Sequence, residues 1–161
     1  MKLLTIFRFE FAYQFGRIST WLYLLVLVAF TFIMKALISP GDGVYANNTL
    51  HITAMTVIGC FIWLVMAAAI AGEAAARDVK LRMHPLTYSS PVSKLDYLGG
   101  RFLAAFSVNA LLLLSLPIGL LISFYLPGLG EGELGPFMPS AYLNVYFFIA
   151  LPIAFIATAV Q

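Results

Sequence analysis

An all-α fold, a polytopic transmembrane helical bundle, is predicted by three observations. Of 161 residues, 62% are hydrophobic and only 10% charged, against about 25% charged in a soluble domain. Four runs with at most one charge each, 19–38, 52–72, 102–126 and 142–160, have the ~20 residues that cross a bilayer as a helix. The runs are continuous in hydrophobicity, whereas barrel strands alternate lipid-facing and lumen-facing residues. One membrane domain over 1–161 is expected, with no internal repeat or soluble domain.

The first element is 1–18, "KLLTIFRFEFAYQFGR" with its flanks. Leu4, Phe7, Phe11 and Phe15 fall on one helical stripe, and Lys2, Glu10, Gln14 and Arg17 gather opposite, with Arg8 the exception. The pattern predicts an interfacial helix along the membrane surface, with Trp21 and Tyr23 anchoring the span that follows. The alternative is a simple N-terminal extension of that span. The first apolar run exceeds the apolar region of a secretory signal and no small-residue cleavage site follows it, so it reads as a permanent span.

Within the spans, Lys35 sits one turn from the far end of the first run, where its stem is expected to carry the ammonium to the interface. Ala67, Ala68, Ala71, Gly72 and Ala75 form a small-residue patch that lets a second helix approach closely. Asn109 in the third run is expected to seek a partner on another helix. Pro117 and Pro152 each remove a backbone donor and favour a kink.

Orientation follows from the basic residues of the short loops. Lys2, Arg8 and Arg17 precede the first span, and Arg77, Lys80, Arg82, Lys94 and Arg101 lie in the 73–101 loop. The loops at 39–51 and 127–141 hold no Lys or Arg. The positive-inside rule puts the N-terminus and the 73–101 loop in the cytoplasm. That loop has shape as well as charge: 73–83 contains good helix formers, and Glu73–Arg77 and Asp78–Arg82 are acid-first i,i+4 pairs. Pro85 ends this helix, Pro91 closes a turn, and Ser93 is placed to cap the helix that enters the third span.

Several chemistries are disfavoured. One cysteine, Cys60, excludes a disulfide framework. The two histidines, His51 and His84, fall on opposite sides of the predicted membrane, which argues against a zinc centre or an intramembrane serine hydrolase. No phosphate-cradling GxxxxGK[ST] run occurs, and Gly128, Gly130, Gly132 and Gly135 belong to an acidic outer loop suited to a turn. No cofactor and no nucleic acid is expected on this chain. Asn47-Asn48-Thr49 matches a glycosylation acceptor on the outer face, a triplet that recurs often by chance.

The N-terminal "FRFEFAYQFGRISTWLYLL", followed by "AAARDVKLRMHPLTYSSPVSKLDYLGGRF" between two spans, resembles the permease subunit of ABC-2 type transporters. The resemblance covers the first four of about six spans, so a longer permease is expected. It implies an amphipathic N-terminal helix and a coupling helix that docks on a separate cytoplasmic ATP-binding subunit. Ala76, Arg77, Asp78, Lys80 and Arg82 would fall in that coupling helix, and Pro91, Lys94, Tyr97, Gly100 and Arg101 in the return segment. It further implies a second permease subunit, identical or not, and export of a substrate across the cytoplasmic membrane. A non-transporting membrane scaffold or assembly protein is the alternative from a different class.

Overall fold

The computed structural model describes residues 2–38, 41, 43–80, 93–126 and 133–160, with backbone only for 69–80. The described residues are helical with no strand: α1 (Lys2–Phe15), α2 (Ile18–Leu37), α3 (Thr49–Lys80), α4 (Lys94–Tyr125), α5 (Pro139–Val145), a π-helical turn (Tyr146–Ala150) and α6 (Leu151–Val160). Four helical stretches, Ile18–Leu37, Thr49–Ala68, Lys94–Tyr125 and Pro139–Val160, are long and apolar enough to cross a membrane. They coincide with the four predicted runs to within a few residues, apart from the eight-residue extension of the third towards its N-terminus.

α1 is a separate helix and not an extension of α2. The chain turns at Gly16, and Arg17 is extended with φ −76° and ψ 137°. The last carbonyls of α1, which have no partner within the helix, are taken by side chains from the next. The Thr20 hydroxyl donates to the Gln14 carbonyl at 2.6 Å, and Trp21 Nε1 to that of Phe15 at 3.0 Å. The Phe15 and Trp21 rings meet edge to face at 5.0 Å.

α4 is the central helix. Buried residues recur along it at Gly100, Ala104, Val108, Leu112, Leu116 and Leu120, with a second row at Asn109, Leu113 and Pro117. Two rows give it two contact faces, so α1, α2, α3 and the α5–α6 arm can all reach it. Between helices in lipid, packing replaces the hydrophobic effect as the driving force, and small residues let backbones approach. A Cβ on Gly59 of α3 would lie 2.7 Å from Leu116 Cδ2, and one on Gly119 would lie 2.5 Å from Thr31 Oγ1. Trp63 and Ala67 are fully buried in the same core, together with Ala150 and Ala154. Ala68, beside Ala67, faces outward, and the side chains of Ala71, Gly72 and Ala75 lie outside the described residues.

The prolines act differently from one another. α4 continues through Pro117 without a break. Pro152 follows a π-helical turn in which the Leu151 N–H bonds back to the Tyr146 carbonyl, five residues earlier. A wide turn beside a proline absorbs the hydrogen bond that the missing N–H would have closed. Asn109 finds the partner expected of it: Nδ2 donates to Thr158 Oγ1 at 3.0 Å, joining α4 to α6, and Thr158 donates on to the Ala154 carbonyl at 2.7 Å.

Candidate functional site

The predicted site residues divide into those whose surroundings are described and those whose are not. Ala76, Arg77, Asp78 and Lys80 belong to the last turns of α3, which runs as one helix from Thr49 to Lys80. Their side chains, and Arg82 and Pro91 altogether, lie outside the described residues. Lys94, Tyr97, Gly100 and Arg101 occupy the first two turns of α4.

Those two turns begin as the sequence leads one to expect. Ser93 Oγ accepts from the Asp96 N–H at 3.0 Å and donates to Asp96 Oδ2 at 2.8 Å. This N-cap satisfies one orphan donor and sets a carboxylate at the positive end of the helix. One turn on, Gly100 is buried against α1: a Cβ there would lie 2.9 Å from Ile6 Cγ2 and 3.0 Å from the Leu3 carbonyl oxygen. Arg101 stands next to that contact, with Nε 3.8 Å from Glu10 Oε1 and Nη1 donating to the Tyr97 hydroxyl at 3.1 Å. Its guanidinium also lies 5.5 Å from the Tyr97 ring centroid. Tyr97, Gly100 and Arg101 are thus brought together, and Gly100 and Arg101 hold α1. Lys94 is exposed at the helix start.

The face that α1 turns to α4 differs from the predicted stripe. Leu3, Ile6 and Glu10 make the contact, while Leu4 is exposed. Phe7, Phe11 and Phe15 do form a ladder, with centroids 5.8 and 5.7 Å apart, and Phe11 packs against the main core. Glu10, assigned by periodicity to the polar side, has a side chain only 13% exposed. The reason is the partner: Arg101 on α4 offers charge where periodicity assumed water. The signal available in the sequence was Gly99-Gly100 at a helix start, since a helical glycine costs about 1 kcal/mol relative to Ala and calls for a packing reason.

At the opposite end of the bundle the two connecting segments are joined through a neutral amide. Asn47 is 2% exposed. Its Nδ2 donates to the carbonyls of Gly135 at 3.0 Å and Pro136 at 3.3 Å, and its Oδ1 accepts from the Gly135 N–H at 2.8 Å. The Ala46 N–H adds a bond to the Glu133 carbonyl at 2.9 Å. Gly135 permits this approach, because a Cβ there would meet the Tyr45 ring at 2.8 Å. The match to a glycosylation acceptor is therefore not available for modification in the fold, where the Asn47 amide nitrogen is enclosed and engaged.

Lys35 belongs to this end. In place of an extended reach to the interface, its side chain is 4% exposed and its ammonium lies 5.7 Å from the Phe124 ring centroid. The last turn of α2 faces the last turn of α4, and the aromatic face offsets part of the desolvation. His51, on the first turn of α3, meets the same ring at 6.1 Å. His51 Nε2 and the Tyr142 hydroxyl are enclosed without a hydrogen-bond partner, as is Trp63 Nε1 in the core.

Among the described residues, no three His, Cys, Asp or Glu side chains approach closely enough to hold a metal ion. The hydroxyls of Ser107, Ser115 and Ser123 each donate to a carbonyl of their own helix. A groove of about 270 Å³ lies between α4 and the segment leading into the π turn, lined by Pro117, Leu121, Phe137, Pro139, Tyr142 and Tyr146 among others. It offers carbon surface, and the Tyr146 hydroxyl already donates to the Ala110 carbonyl at 3.1 Å. No protein-family model, curated protein or solved structure matches this chain.

Proposed function

We propose that this chain is a permease component of an ATP-driven ABC-2 type exporter in the cytoplasmic membrane, with its N-terminus in the cytoplasm. ATP is hydrolysed on a separate subunit and a second permease copy or homologue completes the pathway. The reading rests on the resemblance carried by the "ARD" and "SSPVSKLDYLGGRF" residues and on the segregation of Lys and Arg to one end. In this reading α1 lies along the cytoplasmic leaflet, the Ala76–Arg82 region is the coupling helix, and the substrate is left open.

The observation that best supports it is the continuity of α3. One helix joins the fully buried Trp63 and Ala67 to Lys80 without a hinge. At 1.5 Å per residue, the 13 steps from Ala67 to Lys80 make a rod of about 20 Å. A push on its charged end is delivered to the core as a tilt. The return path through Tyr97, Gly100 and Arg101 is clasped to α1, so the same push reaches the first helix.

Co-purification with a candidate cytoplasmic ATP-binding subunit tests the proposal. Reversing Arg77 and Asp78 to the opposite charges is expected to reduce complex recovery and stimulated ATP hydrolysis about tenfold. Unchanged recovery removes the docking role from this segment. Failure of the unaltered chain to bind any ATPase, with retention of other membrane helices, favours the scaffold.

A further inference from the structure

The α1 end carries a surface that the clasp leaves unused. Residues 2–17 and the first two turns of α4 hold five cations, Lys2, Arg8, Arg17, Lys94 and Arg101, against two carboxylates, Glu10 and Asp96, a net of +3. Both carboxylates already have partners, Glu10 the largely buried contact with Arg101 and Asp96 the exposed Ser93 hydroxyl. Arg8 and Lys94 stand exposed. Beside them, large apolar side chains are also exposed: Leu4 and Phe9 on α1, and Leu95 and Leu98 on α4, with Phe9 at 70% and Leu95 at 84%.

Cations interleaved with outward-facing aromatic and aliphatic side chains match an anionic bilayer surface, whose headgroups supply negative charge directly above a layer that accepts carbon. A soluble acidic partner would satisfy the charge and leave Phe9 and Leu95 in water. We infer that this face binds the phosphodiester headgroups of anionic phospholipids through Arg8 and Lys94, with Leu4, Phe9, Leu95 and Leu98 set among the upper acyl segments. The inference rests on α1 lying at the membrane interface, as in the reading above, and does not depend on an ATPase partner.

The probe is the full chain in nanodiscs of equal phosphatidylglycerol and phosphatidylcholine, with retained lipids counted by native mass spectrometry. The unaltered protein is expected to retain phosphatidylglycerol preferentially. Each neutralised cation is expected to weaken that preference about fivefold, so Arg8→Gln with Lys94→Gln lowers it about 25-fold, either single change lowers it about fivefold, and Arg8→Lys with Lys94→Arg preserves it. Equal retention of both lipids, an unchanged preference in the doubly neutral variant, or complete displacement of the lipid by millimolar inorganic phosphate overturns the inference. A nitroxide at Ala12→Cys, in a Cys60→Ala background, separates this failure from that of its premise. A label in bulk water refutes the interfacial position of α1 and the inference with it, whereas headgroup depth without lipid preference refutes the inference alone.

Discussion

The two ends of the bundle hold their elements together by different physics. At the α1 end, a helix lies against a glycine, and a partly exposed ion pair sits beside the contact. At the Asn47 end, one enclosed amide makes three hydrogen bonds across two connecting segments, and a lysine is buried over an aromatic ring. The first arrangement is steric and electrostatic, so it yields to added volume and to salt. The amide contacts of the second are neutral and shielded, so they yield only when a buried donor or acceptor is orphaned.

The largest effect is expected from added volume at the first end. Gly100→Val places carbon against Ile6 and against the Leu3 carbonyl oxygen, a backbone atom that cannot rotate aside. Overpacking of this kind costs about 3 kcal/mol. The contact should be lost, with α1 released and Arg17 opened to trypsin while α2–α6 stay protected. Gly99→Ala is the contrast, because its Cβ meets only Leu3 Cδ1 at 3.3 Å, the end of a flexible side chain. That change should leave α1 docked and raise the melting temperature slightly through helix propensity. If both variants release α1, the close approach at Gly100 is not what holds it.

A smaller loss is expected at the other end. Asn47→Ala strands the Gly135 N–H and two carbonyls, at a cost of about 2 kcal/mol. Asn47→Asp keeps the acceptor for the Gly135 N–H but sets an anion against the carbonyls of Gly135 and Pro136, so it should be no better tolerated than alanine. Thermal unfolding in detergent measures both. The comparison fails if Asn47→Asp is neutral, since that outcome means the carbonyl contacts contribute little.

Much of this was legible in the sequence, and the exceptions have one cause. Spans, the Ser93 cap, the interhelical role of Asn109 and the separation of 1–18 from the first span follow from local pattern: run length, cap chemistry, a polar residue in lipid. Periodicity puts Glu10 on the polar side of its helix, nearness to a helix end sends Lys35 to the interface, and Asn47 reads only as part of a glycosylation triplet. Each is enclosed by a group far along the chain: Arg101, Gly135 and Phe124. Periodicity measures the polarity of a position and is blind to a partner 88 residues away. The glycines at 99, 100 and 135 were the legible trace of those contacts, because a side chain missing from a helix or turn marks where another group comes close.

The smallest effect sharpens the comparison most. Glu10 and Arg101 are 3.8 Å apart with side chains 13% and 25% exposed, and Arg101 keeps the Tyr97 hydroxyl as a second partner. Exposed and half-exposed ion pairs contribute about 0–1 kcal/mol and weaken as salt shortens the Debye length from ~10 Å at 0.1 M to ~3 Å at 1 M. Glu10→Gln should therefore increase tryptic cleavage at Arg17 by less than about fivefold at low salt. Raising the salt to 1 M should bring the unaltered protein towards the same rate. The Asn47 contacts carry no formal charge, so the deficit of Asn47→Ala should be the same at both salt concentrations. If cleavage at Arg17 is insensitive to salt while the Asn47 deficit changes, the electrostatic character has been assigned to the wrong end.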